Sequence, residues 1–237
     1  MASGPEQTEI GTSNYLVGMI DIFFALVVGQ GVFVFQTAIS QPFSATLQAW
    51  LAMVLIYYTV IRSFVAWHSA IEAGWYRMSS DRRTTELWRL YVDVLIVALY
   101  AYMFIAAEPL TKEEGSDLSG LFWAFPVLFA LYWLWGCFRR AAWGEDDFDF
   151  RVLLLFGILY VILAAFYALL PSETLGVGEG TGNNLALAAA LALMALYRYV
   201  NFWQGTSGRS MWFWKVPKPR IPPLRRPAQL EREANRE

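Results

Sequence analysis

Asp21 and Gln30 stand within the first long apolar run of this chain, and Arg62, His68, Arg89 and Asp93 stand near the ends of the next two. Hydrocarbon makes such groups costly, by about 2.5 kcal/mol or more for an Asp at the centre of a membrane helix, so each demands a reason. A carboxylate in lipid without a partner protonates, and Arg62 and Arg89 are the available counter-charges for Asp21 and Asp93. The set therefore predicts a polar cluster on the cytoplasmic side that holds the first three helices together. Asp21 and Gln30 are nine residues apart; at about 100° per residue that is half a turn beyond two full ones, which points them to opposite faces. Both faces of that helix must then meet protein or water. Asp21 serves either as a buried interhelical hydrogen bond that specifies packing or directly in transport. Gln30 serves either as a helix–helix amide bond or on a polar face turned to a pore or cavity.

Other chemistry is poorly supplied. His68 and Glu72, four apart, share a helix face as zinc ligands do, but a site needs three or four ligands and there is no second His and no Cys nearby. No metal or other cofactor is expected. The same scarcity denies the chain a Ser, His and Asp set or a metal-bound water, so no enzyme is expected. Gly176 to Gly182 lacks the following Lys-Ser or Lys-Thr of a phosphate loop. The single Cys137 excludes an internal disulfide and reads as inert packing.

The elements that must carry these side chains follow from composition. With 57% hydrophobic and 16% charged residues the chain is too apolar for a soluble domain. Its 18 basic and 20 acidic residues nearly cancel, which gives no sign of a nucleic-acid partner. A helix needs about 20 apolar residues to cross the hydrocarbon layer. Six stretches qualify or nearly do: Asn14 to Phe35, Leu47 to Trp67, Trp88 to Ala107, Leu118 to Phe138, Phe150 to Leu170 and Leu185 to Phe202. The expected fold is an all-α integral membrane protein of about six transmembrane helices.

Its parts would be a cytoplasmic tail over 1–13, a six-helix domain over 14–202, and an interfacial aromatic anchor with a basic, proline-rich tail over 203–237. Glu6 and Glu9 without Lys or Arg rule out the basic start of a secretory signal peptide, so the first helix is retained. Lys112 is the one basic residue on one side of the predicted bundle and the other 17 fall on the opposite side, which sets both termini in the cytoplasm of a cell-membrane protein. Trp67, Trp75, Trp88, Trp123, Trp143 and Trp203 are placed for an interfacial belt. Met211 to Lys215 reads as an anchor at the headgroups, and Pro217 to Pro227 as an extended basic segment drawn to anionic lipid. The last span, rich in Ala and Leu from Leu185, is built to pack closely against another helix.

Met19-Ile20-Asp21-Ile22-Phe23-Phe24-Ala25-Leu26 resembles the helix-one signature of the transmembrane-protein-175 potassium channel family, in which Phe-Ser-Asp precedes small and aliphatic residues. Asp21 and Phe24-Ala25-Leu26 match it, while Met19-Ile20 stands where that family has Phe-Ser. Trp67-His68 is similar to its Trp-His element at the end of helix two. The resemblance covers about a third of the chain. It implies a homo-oligomer, a tetramer, around a pore for a monovalent cation, with Leu26, Gln30 and Phe33 facing the axis. Aliphatic side chains there form a hydrophobic constriction that gates by dewetting, and an amide at Gln30 would alter gating or selectivity. The alternative is a non-catalytic sensor or effector subunit. Its acidic loop Glu145 to Asp149 and basic tail, on one side of the membrane, would engage a cytoplasmic protein.

Overall fold

A computed structural model of the chain describes residues 5–43, 45–72, 83–111, 117–143, 150–169 and 179–207. Nearly all of them are helical. The elements are α1 (Pro5–Val34), α2 (Gln36–Ser40), α3 (Leu47–Glu72), α4 (Arg83–Ala107), a 3-10 turn (Glu108–Thr111), α5 (Ser119–Trp143), α6 (Phe150–Leu169) and α7 (Glu179–Ser207). The acidic loop Glu145 to Asp149, the anchor Met211 to Lys215 and the basic segment Pro217 to Pro227 lie outside the described residues.

Among the described residues, five helices are long and apolar enough to cross a membrane: Leu47–Ser69, Leu87–Thr111, Ser119–Ala141, Phe150–Leu169 and Gly180–Asn201. The protein is therefore a multi-pass membrane protein. The apolar part of α1, Gly18–Val34, is shorter.

Two helices start earlier than hydropathy alone places them. α1 begins at Pro5, inside the expected tail, and proline suits a first helical position. α7 begins at Glu179, inside a glycine-rich stretch read as a break. A tertiary contact overrides propensity there: Gln48 Nε2 on α3 donates to the Gly180 carbonyl at 3.1 Å.

The five long helices close into a ring in which α3 packs on α4, α4 on α5, α5 on α6, α6 on α7, and α7 back on α3. α1 lies outside that ring, against α4 and α3. The core of the α5, α6 and α7 side is aromatic. Phe129 has its ring 5.3 Å from Tyr160 and 4.9 Å from Tyr197, and Phe125 stacks on Tyr160 at 4.7 Å. Tyr160 is fully buried, and its hydroxyl donates to the Ala190 carbonyl at 2.6 Å. That bond satisfies in hydrocarbon a group that would otherwise cost several kcal/mol. Small Ala190 is what lets α7 approach the tyrosine so closely.

α1 is held to the ring at Gly31, where a Cβ would run into the Phe104 ring and stand 2.7 Å from Tyr57 Oη. Phe104 is fully buried and cannot yield, and the Tyr57 hydroxyl is engaged by the Val28 carbonyl at 3.2 Å. At Gly18 and Gly29 an added Cβ meets nothing within 4 Å. Gly31→Ala should therefore cost about 1 to 3 kcal/mol through overpacking. Gly29→Ala should be neutral or stabilise by up to about 1 kcal/mol, since glycine is a poor helix former. Unfolding midpoints of both variants in detergent check this; equal midpoints would contradict the close approach.

Candidate functional site

Which charged groups turn inward is decided by what each helix offers as a partner. At one end of the bundle, α3 ends with Arg62 and His68, α4 begins with Arg89, α5 ends with Arg139 and Arg140, α6 begins with Arg151 and α7 ends with Arg198. Arg62 is exposed, and the partner that Asp21 finds among the described residues is His68. Arg89 and Asp93, one turn apart on α4, are almost wholly buried, at 1% and 6% exposure.

Asp21 and His68 meet across α1 and α3, with His68 Nε2 3.4 Å from Asp21 Oδ1 and each side chain 40% exposed. His68 Nδ1 is 3.3 Å from the Phe64 carbonyl, so both ring nitrogens face oxygen. The imidazole also packs edge-on against Phe64 and Trp67, at 4.2 and 5.2 Å between ring centres. The expected cluster of helices one, two and three thus divides into an outer pair, Asp21 with His68, and an inner group on α4.

The residues expected on one pore axis, four and three positions apart, lie on one side of α1 but differ in burial. Leu26 and Phe33 are exposed, at 63% and 78%, on an outer stripe of α1 with Ile22, Ala25 and Val32. Gln30 is partly buried and turns toward α4, its Nε2 3.5 Å from the Ala101 carbonyl. An amide flanked by lipid and by a helix with reachable carbonyls takes the carbonyl, so Gln30 serves as a helix–helix contact.

The inner group opens on a cavity of about 150 Å³. Its polar lining is Ser63 from α3, Asp93 from α4, Tyr132 from α5 and Arg198 from α7. The apolar lining comes from Phe24, Trp67, Ile96, Trp135 and Tyr197. Trp67, which hydropathy places in an interfacial belt, instead points inward with 7% exposure, because Phe24 on α1 gives its ring a partner 6.1 Å away.

Arg198 organises this chamber. Its Nη2 donates to Ser63 Oγ at 2.7 Å and reaches Tyr132 Oη at 3.4 Å. Tyr132 Oη in turn meets Ser63 Oγ and lies 2.5 Å from Tyr100 Oη. The guanidinium lies over the rings of Tyr197 and Tyr132, at 5.2 and 5.9 Å. A terminal arginine of a span ordinarily extends toward the headgroups; this one is directed inward onto two other helices. Its Nε is shielded from solvent with no partner among the described residues. No carboxylate among the described residues lies within ion-pair distance of it.

Sequence reasoning flagged Asp93 and missed Arg198, Ser63, Tyr132 and Tyr100. Arg198 lies inside the span Leu185 to Phe202, so the cost rule that singled out Asp21 applied to it as well. The hydroxyls carried no signal, because Ser and Tyr occur in membrane helices without special cause. Among the described residues no group of three or more His, Cys, Asp and Glu side chains comes together.

Tyr132→Phe deletes the oxygen shared by Arg198, Ser63 and Tyr100 and should destabilise the bundle by about 1 to 3 kcal/mol. Tyr199→Phe, at an exposed position, should change stability by less than about 0.5 kcal/mol. Unfolding midpoints of the purified variants measure the difference, and equal values would mean the hydroxyl network contributes nothing.

Comparison with protein-family models, with curated proteins and with solved structures finds no match to this chain, so its function rests on the geometry of this site.

Proposed function

We propose that the protein is a non-catalytic membrane sensor of six spans, with both termini in the cytoplasm, that holds a small solute in the cavity between Arg198 and Asp93. The observation that carries this reading is the convergence of two opposite charges and two hydroxyls from four helices on one chamber. Ionisable groups are retained at membrane depth where they do work, and an apolar chamber with a few converging polar groups is the usual form of a small-molecule site.

Depth favours sensing over carriage. At 1.5 Å per residue, Arg198, Ser63, Asp93 and Tyr132 lie about 5 to 13 Å in from the arginine-rich ends of their spans. The midplane of a layer about 30 Å thick is deeper, and carriers place their sites there. The excess of Lys and Arg at this end supports a cytoplasmic orientation for it. α1, with its 17-residue apolar part Gly18–Val34 and its docking on α3 and α4, serves as the sixth span. Loops on the same side would pass occupancy to a cytoplasmic protein.

A second reading, cation conduction by a homo-oligomer, is favoured by the outer stripe of α1. Leu26 and Phe33 face away from the protomer, and Ala25 and Gly29 leave room beside them. Turned to a shared axis, that stripe would make a hydrophobic constriction.

Two measurements test these readings. In a Cys137→Ala background, Ser63→Cys should be modified by a small charged methanethiosulfonate in inside-out vesicles and not in right-side-out ones. Ala52→Cys, fully buried, should resist in both. An unreactive Ser63→Cys would mean a sealed chamber and would end the sensor reading; reaction only from the other side would overturn the orientation. Potassium flux from liposomes tests the second reading. Conduction predicts flux above empty vesicles that rises severalfold in Leu26→Asn and Phe33→Asn, whereas flux no greater than from empty vesicles excludes it.

A further inference from the structure

We infer that the solute is a small organic monocarboxylate with a flat apolar body, its carboxylate against Arg198 and its body among the aromatic side chains. This rests on the reading of the cavity as a binding site and adds the class of ligand that the site takes.

Charge comes first. A guanidinium keeps its proton under all conditions met by a protein, so Arg198 cannot shed its charge at membrane depth. Its hydrogen-bond partners, Ser63 and Tyr132, are neutral. The rings of Tyr132 and Tyr197 offset the charge only in part, since a cation–π contact contributes about 0.5 to 2 kcal/mol. Asp93 faces the same chamber, but Arg89 stands one turn before it on α4 and is also buried. Among the described buried charges Arg89 and Arg139 stand against Asp93 alone, so basic groups outnumber acidic ones at this end of the bundle.

Form comes second. Arginine presents a rigid fork of N–H groups that matches a planar carboxylate with two parallel hydrogen bonds. Here Nη2 is engaged by Ser63 and Tyr132, so the guanidinium is oriented in advance and its remaining N–H groups offer a carboxylate a charge-assisted contact rather than an open fork.

Size and lining come third. About 150 Å³ is room for a molecule of benzene size. Phe24, Trp67, Ile96 and Trp135 offer a ring or short chain apolar contact. A bare inorganic anion would leave those surfaces unfilled and lose its own hydration. Asp93, on the same chamber, repels a second negative group and restricts the ligand to one.

The probes are benzoate, its neutral isostere benzamide, and oleate, used on the full-length protein in a neutral detergent. Tryptophan fluorescence is a direct readout because Trp67 and Trp135 line the chamber, and the unfolding midpoint is a second. Benzoate is expected to change the emission and raise the midpoint in a saturable manner, with affinity at least ten times that for benzamide. Arg198→Gln should remove that preference for the anion. Asp93→Asn should tighten benzoate severalfold, a gain that damage to the fold cannot imitate.

Oleate binding more tightly than benzoate would identify a lipid-derived carboxylate and overturn the small-ligand assignment. Benzamide equal to benzoate, or weaker benzoate binding in Asp93→Asn, would overturn the charge assignment. No response to benzoate in a protein whose Ser63→Cys variant is labelled rejects the carboxylate and leaves the sensor reading standing. No response together with an unlabelled Ser63→Cys removes both.

Discussion

A partly buried guanidinium that cannot lose its charge constrains everything around it. Arg198 must be given hydrogen-bond acceptors inside the membrane, and the bundle supplies them from helices that are far apart in sequence: Ser63 lies 135 residues away and Tyr132 lies 66 away. Tyr132 then carries the link to Tyr100 on α4. One network thus joins α7, α3, α5 and α4, four of the five helices of the ring. Dispersion between apolar helices in lipid has little preference for one register over another, because lipid tails pack nearly as well. Polar groups that must all be satisfied at once admit few registers, and this network is where the ring acquires a defined one.

The aromatic layer of α5, α6 and α7 works in the same sense without charge. Phe129 contacts rings from both α6 and α7, and the Tyr160 hydroxyl ends on a backbone carbonyl of α7. Large flat side chains interlock in few ways, so this layer is positioned by shape. Together the two devices border the cavity, which lies between them and α1.

Much of this was open to sequence reading, because the cost of burial acts on single residues. Long apolar runs gave five spanning helices to within a few residues at most ends, and the isolated Asp93 and Arg89 announced a polar interior. What could not be read is direction. The angular separation of Asp21 from Gln30 separates their directions, but no periodicity says that one meets α3 and the other α4. Gln30 took a carbonyl of α4 within its own protomer, whereas Leu26 and Phe33, a turn on either side, look outward. The ends of α1 and α7 were misjudged for a related reason. Hydropathy marks where lipid ends, and a helix stops where its backbone partners stop.

α1 stands apart from the ring and yet belongs to the site, through a single side chain. Phe24 is its one contribution to the chamber, and it is 5% exposed among Phe64, Trp67 and Tyr100, with ring centres 5.0 to 6.1 Å away. The helix that carries it is fastened on both sides of that point, by Gly31 seated on Phe104 and by Asp21 against His68. The first fastening is steric and rigid. The second sets two half-exposed side chains 3.4 Å apart. Ile20, fully buried beside Asp21, and Phe24 and Val27 carry the docking of α1 down to the end where the chamber lies.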